Sequence, residues 1–267
     1  MNNIQQKTKE LLESGACTLI IGYEKGTGGK ARPVFVRKAE HAAKLIFDES
    51  CDQNIAGYLY RQEIKNESKK AIVANNHTLK SIVELASENQ IHEGDFMVLA
   101  FTAEGEIIEL KSFEEIEKHV ATLYHGLNDE DKATMQKIEA MTMEERWGFW
   151  ENEFSKCIKC YACRASCPMC YCPTCTVEIN QPQWIPVPSH TLGNLEWHVM
   201  RAMHLAGRCI TCGQCAKSCP LDLPIHLLTY KVALDSEQYF DSVAGTSVCA
   251  NNVLATFKTE DHENFIR

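Results

Sequence analysis

Two runs of this chain, Cys157-Ile-Lys-Cys160-Tyr-Ala-Cys163-Arg-Ala-Ser-Cys167-Pro168 and Cys209-Ile-Thr-Cys212-Gly-Gln-Cys215-Ala-Lys-Ser-Cys219-Pro220, repeat one pattern, C-x2-C-x2-C-x3-C-P. Three closely spaced thiols must wrap one point, while the fourth is carried off on the next turn. Pro168 and Pro220 keep an ordinary helix from continuing unbroken through that point. This is the spacing by which thiolates hold a cubane iron–sulfur cluster.

In two-cluster ferredoxins the fourth cysteine of each run ligates the other run's cluster. The expected assignment is Cys157, Cys160, Cys163 and Cys219 on a first 4Fe-4S cluster. Cys209, Cys212, Cys215 and Cys167 take the second. Structural zinc usually asks for paired C-x-x-C units rather than quartets. Disulfides need an oxidising compartment, and the first seven residues lack the apolar core of a secretory signal. No apolar run approaches the length of a spanning helix.

Composition sharpens this reading. Eleven of the fourteen cysteines lie between Cys157 and Cys219, a concentrated metal-binding segment rather than a disulfide scaffold. The net charge of −9 argues against nucleic acid as a partner. A reduced, cytoplasmic and oxygen-sensitive protein is expected.

The chain reads as an α/β domain over residues 1–135. A ferredoxin-like domain with two 4Fe-4S clusters follows over 136–241, with a long insertion and a C-terminal helix. An extended tail, 242–267, closes the chain. In the first part, residues 4–13, 39–47, 54–61 and 78–88 have helical character. Residues 17–21, 33–36, 71–74, 95–101 and 106–110 read as strands, and such alternation favours a mixed or parallel sheet covered by helices. Thr142-Met143-Glu144-Glu145 offers a cap and an acidic first turn. The aromatics from Trp147 to Phe154 suit a packing surface between domains. Residues 181–188 are Pro-rich loop, and 194–206 and 224–240 are helices, the second with Pro at an early position.

Three cysteines remain once eight are assigned. Cys170, Cys172 and Cys175 could hold a third cluster or a zinc ion, with His190, His198 or His204 as an outside ligand. They could instead pack as small buried residues, or exchange with Cys167 as ligands. The glycine-rich stretch 22–30 has neither P-loop nor dinucleotide spacing and reads as a flexible connection between strands. Asn75-Asn76-His77 lies at a strand-to-helix junction, where it could meet an anion or cap the helix. Cys17, Cys51 and Cys249 read as isolated core or surface thiols.

The order of an α/β segment carrying Val34-Phe-Val-Arg37 and then paired cysteine quartets resembles the beta subunits of deazaflavin-reducing hydrogenases and formate dehydrogenases. It is more similar to the shorter iron–sulfur subunits found with formate dehydrogenase, hydrogenase and heterodisulfide-reductase-type complexes of anaerobes. Lys156-Cys157-Ile-Lys-Cys160-Tyr-Ala-Cys163-Arg164, Cys167-Pro-Met-Cys170-Tyr-Cys172 and His204-Leu-Ala-Gly-Arg-Cys209 carry the resemblance, with Ala255-Thr-Phe-Lys258 a weaker extension. Full-length members bind flavin and reduce deazaflavin through a large region after the clusters, whereas forty-eight residues follow Cys219 here. Their Lys-Gly-Cys-Asp type loop would align with residues 73–77 and does not match.

The resemblance therefore implies an electron-relay subunit whose partners are other subunits of a redox complex. Flavin is not expected. The alternatives are a flavin-containing subunit reducing a nicotinamide or deazaflavin, and a structural or redox-sensing iron–sulfur protein.

Overall fold

The β-rich run after the first helix, α1 (Asn3–Glu13), forms β1 (Leu19–Lys25), buried from Leu19 to Tyr23. It turns through the glycine-rich stretch into β2 (Ala31–Val36), and the two strands pair antiparallel from Ile20↔Val36 to Lys25↔Ala31. That stretch is therefore a hairpin connection. In the computed structural model, residues 3–65, 67–102, 104–123, 126–178, 181–182, 184–250 and 253 are described.

Residues 39–47 depart from the expected helix. Ala39–Lys44 is a 3-10 helix, and Leu45–Ile46 (β3) pairs with Tyr23 and Glu24 of β1. Strand pairing takes Leu45 into full burial, which a continuing helix would forgo. Residues 54–61 likewise keep only a 3-10 turn, Ala56–Tyr58, before the short α2 (Gln62–Lys65). β4 (Lys70–Val73) then pairs parallel with β1, and β5 (Phe96–Phe101) pairs parallel with β4. β6 (Ile107–Leu110) closes the edge antiparallel to β5. The order is β2-β1-β4-β5-β6, a mixed sheet whose central strands are the most buried.

Helix α3 (Asn76–Ser87) links β4 to β5. Asn75 caps it, accepting from the Thr78 amide at 2.9 Å while its own amide donates to the carbonyls of Cys51 and Gln53. Three helices follow, α4 (Phe113–Val120), α5 (Asp129–Glu139) and α6 (Met143–Ser155). At the start of α6, Thr142 and Glu145 exchange hydrogen bonds in a capping box. Phe149 and Trp150 of α6 pack against the cluster that joins Leu127, Met135 and Ile138 to Leu227 and Tyr230. Trp150 stacks on Phe154 and Phe154 on His198, which joins α6 to the helix between the two cysteine runs. Trp147 is 57% exposed.

The short helices α7 (Ala162–Ala165) and α9 (Gln214–Lys217) flank the longer α8 (Thr191–His204), and α10 (Ile225–Phe240) is the last helix among the described residues. Leu127, Met135 and Ile138 around α5 pack with Leu227 and Tyr230 of α10. Of the expected tail, residues 251–252 and 254–267, including the Ala255-Thr-Phe-Lys258 motif, lie outside the described residues. The part before them wraps this chain itself. The Gly245 amide donates to Glu84 Oε2 at 2.7 Å, and the Val248 amide donates to Glu117. Gly245 has φ +74°, and a Cβ there would stand 2.6 Å from the Lys80 carbonyl oxygen.

Glu84 is 4% exposed. Burial pushes its carboxyl up to about 7, opposed by the Gly245 amide, while the neighbouring Glu88 adds to the rise. The folded chain therefore binds this proton more tightly than the unfolded chain. The associated stability is present below about pH 4.5 and is lost as pH rises through about 7. Glu84→Gln should match the wild type at acid pH and exceed it by up to about 3 kcal/mol at pH 8. Denaturant titrations at the two pH values check this; an unchanged difference between them would contradict it.

Candidate metal centre

The two cysteine runs take the same backbone path. Lys159 and Thr211, each just before the second cysteine, have φ +54° and +57°. Tyr161 and Gly213, each just after it, have φ +56° and +66°. α7 and α9 begin at equivalent positions, immediately after these left-handed residues. Left-handed turns of this kind aim successive backbone N–H groups into a concavity that suits anionic groups, iron–sulfur sites among them. The Lys159 amide donates to Cys157 Sγ at 3.4 Å, and the Thr211 amide bonds Cys209 in the same way. Tyr161 holds a conformation that disfavours a Cβ by roughly 1–2 kcal/mol. Its ring packs edge-on against Trp197 with centroids 5.1 Å apart, an offsetting contact.

The runs meet at a seam with approximate two-fold character. Ser166 and Ser218, fifty-two positions apart and each just before a fourth cysteine, touch hydroxyl to hydroxyl at 2.7 Å. Ser166 Oγ also donates to the Gln214 carbonyl at 3.4 Å, and Ser218 Oγ to the matching Ala162 carbonyl at 3.3 Å. This exchange carries each fourth cysteine across to the opposite run.

The electrostatics of the thiols report the crossing. Burial pushes Cys157 up, and Cys160 and Cys219 add to that rise. Cys163 is raised by burial, with Cys157 and Cys160 contributing. In the second run, burial pushes Cys209 and Cys212 up to about 12 and Cys215 to about 11, and Cys167 adds to all three. Cys219 thus stands with the first triplet and Cys167 with the second. Cys215 also feels Cys163, so the two sets adjoin. Buried thiols that raise one another in this way need a cationic centre to persist as thiolates. The donor set fits two cubanes: four sulfurs each, backed by backbone amides. Cys160 is exposed, and it lies on the outer edge of the first set.

The long insertion holds the first loop. The buried Asn194 donates to the carbonyls of Phe154 and Cys157 at 2.9 and 2.8 Å. Ser189 donates to the same Cys157 carbonyl, and the Lys159 ammonium donates to the Pro186 carbonyl. The sheet domain holds the seam and the second loop. Tyr60 donates to the Pro168 carbonyl at 3.1 Å, and the Asn54 amide donates to Gln214 Oε1 at 3.1 Å. Lys217 pairs with Asp52 at 2.8 Å. Arg208, lying over the Tyr171 ring, pairs with Glu88 of the segment after α3.

The surplus cysteines part company. Cys170 packs against the sheet-domain core and hydrogen-bonds Cys167, which lowers the Cys167 thiol and raises its own. Cys175 packs beside Tyr161 in the other core, next to an Arg164–Glu178 ion pair, and Cys172 is exposed. Of the outside histidines considered, His190 caps α8, His198 stacks on Phe154 and His204 is exposed. Among the described residues, no group of three or more His, Cys, Asp or Glu side chains converges as it would around a single ion. A cubane makes a different demand, four thiolates spread around a cage.

No protein-family model matches the chain. Over 88 residues it is 35% identical to the F420-dependent formate dehydrogenase subunit beta of Methanocaldococcus jannaschii, 32% of this chain and 22% of that relative. Over 91 residues it is 33% identical to the F420-dependent formate dehydrogenase 1 subunit beta of Methanococcus maripaludis, 34% of this chain and again 22% of the relative. The similarity is to formate dehydrogenase beta subunits. The match spans about a fifth of those proteins' length.

Asn54, Tyr60, Ser189, Asn194 and Arg201 support the site without any motif to mark them. The paired Ser-Cys-Pro was a visible signal for the seam, since it recurs at the same place in both runs.

The left-handed Gly213 yields a test, with the helical Gly148 as its counterpart. Gly213→Ala puts a Cβ at φ +66°, 3.1 Å from the Tyr230 hydroxyl, and should cost about 1–2 kcal/mol. Gly148→Ala in α6, where nothing lies within 4 Å of the added carbon, should stabilise by about 0.5–1 kcal/mol. Thermal unfolding of the two variants measures both, with opposite signs expected.

Proposed function

We propose that this chain is an iron–sulfur electron-transfer subunit of a larger oxidoreductase, of the kind that accompanies a formate dehydrogenase catalytic subunit. The observation that carries the proposal is the crossing of the two cysteine runs, with Cys219 beside Cys157 and Cys167 beside Cys209, Cys212 and Cys215. Similarity to formate dehydrogenase beta subunits over a third of the chain supports the same reading. Among the described residues, no helix is long and apolar enough to cross a membrane.

In this reading Cys157, Cys160, Cys163 and Cys219 hold one 4Fe-4S cluster, and Cys209, Cys212, Cys215 and Cys167 hold the other. Each cluster, when bound, accepts and releases one electron at a time. The chain's own residues set the conditions for that exchange. Backbone amides at Lys159 and Thr211 bond cysteine sulfurs, which favours the more negative state. Asn194, Ser189 and Tyr60 fix the loops so that the sulfurs keep their spacing.

Protein purified without oxygen should contain about eight irons and eight acid-labile sulfides per chain. Cys160→Ala and Cys212→Ala should each lose about half of that iron and stop electron flow through the assembled complex. Full iron content and turnover in either variant would overturn the assignment. A count near twelve, or a zinc ion lost in Cys172→Ala, would instead report a further metal on Cys170, Cys172 and Cys175.

A further inference from the structure

One cation lies inside the double-cysteine unit, and no motif accounts for it. Arg201 sits on the third turn of α8 and is 4% exposed. A guanidinium carries five N–H donors and stays charged at any relevant pH, so burying one demands compensation. Its hydrogen bond is modest: Nη2 donates to the Cys163 carbonyl at 3.2 Å. Its Nε is buried without a hydrogen-bond partner among the described residues. No Asp or Glu forms a salt bridge with it among the described residues; the ion pairs of this region belong to Arg164 and Arg208.

The compensation comes from sulfur. Burial acts against the Arg201 charge, and Cys167, Cys215, Cys170 and Cys163 outweigh it, in that order. The guanidinium acts back on Cys170 and Cys215, lowering both thiols against the rise that burial imposes. Cys163 belongs to the first ligand set, while Cys167 and Cys215 belong to the second. Arg201 therefore stands where the two sets adjoin. Lys159 in the first run behaves differently, because its ammonium donates to the Pro186 carbonyl, and Cys157 and Glu196 are the anionic groups that act on it. His198, one turn before Arg201, is buried and held neutral, its value lowered to about 3 by burial and the two cations.

We propose that Arg201 is a positioning residue for electron transfer: a buried, permanent positive charge shared by both cysteine sets, which raises the reduction potentials of the two clusters and of the second most. The proposal rests on the two-cluster reading. Reducing a cluster adds negative charge, and a cation in a low-dielectric site favours the reduced state. Of the three ligand cysteines that act on Arg201, two, Cys167 and Cys215, are in the second set. A purely structural role, anchoring α8 to the Cys163 carbonyl, would leave the potentials unaltered in any variant that keeps its iron.

The experiment is an anaerobic redox titration of the full chain followed by electron paramagnetic resonance, for wild type, Arg201→Gln and Arg201→Lys, with iron and sulfide measured on each. The expected result is wild-type iron in Arg201→Gln with both midpoints shifted to more negative potential, unequally, and near-wild-type midpoints in Arg201→Lys. Unchanged midpoints in Arg201→Gln would overturn the proposal, as would an equal shift in Arg201→Lys. Loss of iron from both variants would assign the residue to assembly and overturn it too. Wild-type protein reconstituted without cubane signals would instead defeat the two-cluster reading itself.

Discussion

Everything in the C-terminal half depends on one seam, where Ser166 and Ser218 meet and each serine binds a carbonyl of the opposite run. Each serine immediately precedes a fourth cysteine. Joining them turns Cys167 toward the second triplet and Cys219 toward the first. Without that exchange the two runs would be separate three-sulfur loops, each lacking its fourth donor. With it, eight cysteines form two adjoining sets inside one small unit.

The α/β domain and the insertion divide the work of holding this unit. The sheet domain reaches the seam and the second loop through Tyr60, Asn54 and Asp52, all on the irregular segment after β3. The insertion returns to the first loop through Pro186, Ser189 and Asn194, which all bond Cys157 or Lys159 backbone or side chain. The first loop keeps an exposed edge at Cys160, while the second is packed against the sheet-domain core.

Much of this was legible beforehand. Short β-rich apolar runs located the strands, the Thr142 cap with its acidic first turn located the start of α6, and Asn75 was legible as a cap. Residues 39–47 were misleading, because their composition favours helix, yet Leu45 and Ile46 are drawn into pairing with β1. A one-dimensional pattern says that Phe154 must be covered, but not that His198 covers it. Arg201 was invisible, since one arginine on a helix reads as a solvated charge until the fold buries it.

The sequence alone determined the two cysteine quartets and the crossed pairing expected of them: residue type and spacing dictate how many sulfurs a short loop can aim at one point, and Pro168 and Pro220 dictate where each run must turn. Only the tertiary structure decided that the runs meet at Ser166 and Ser218, that Cys170 and Cys175 go to different cores, and that a guanidinium lies beside cysteines of both runs. Those outcomes depend on contacts between residues fifty or more positions apart, such as Ser166 with Ser218. Local spacing carries no information about such contacts.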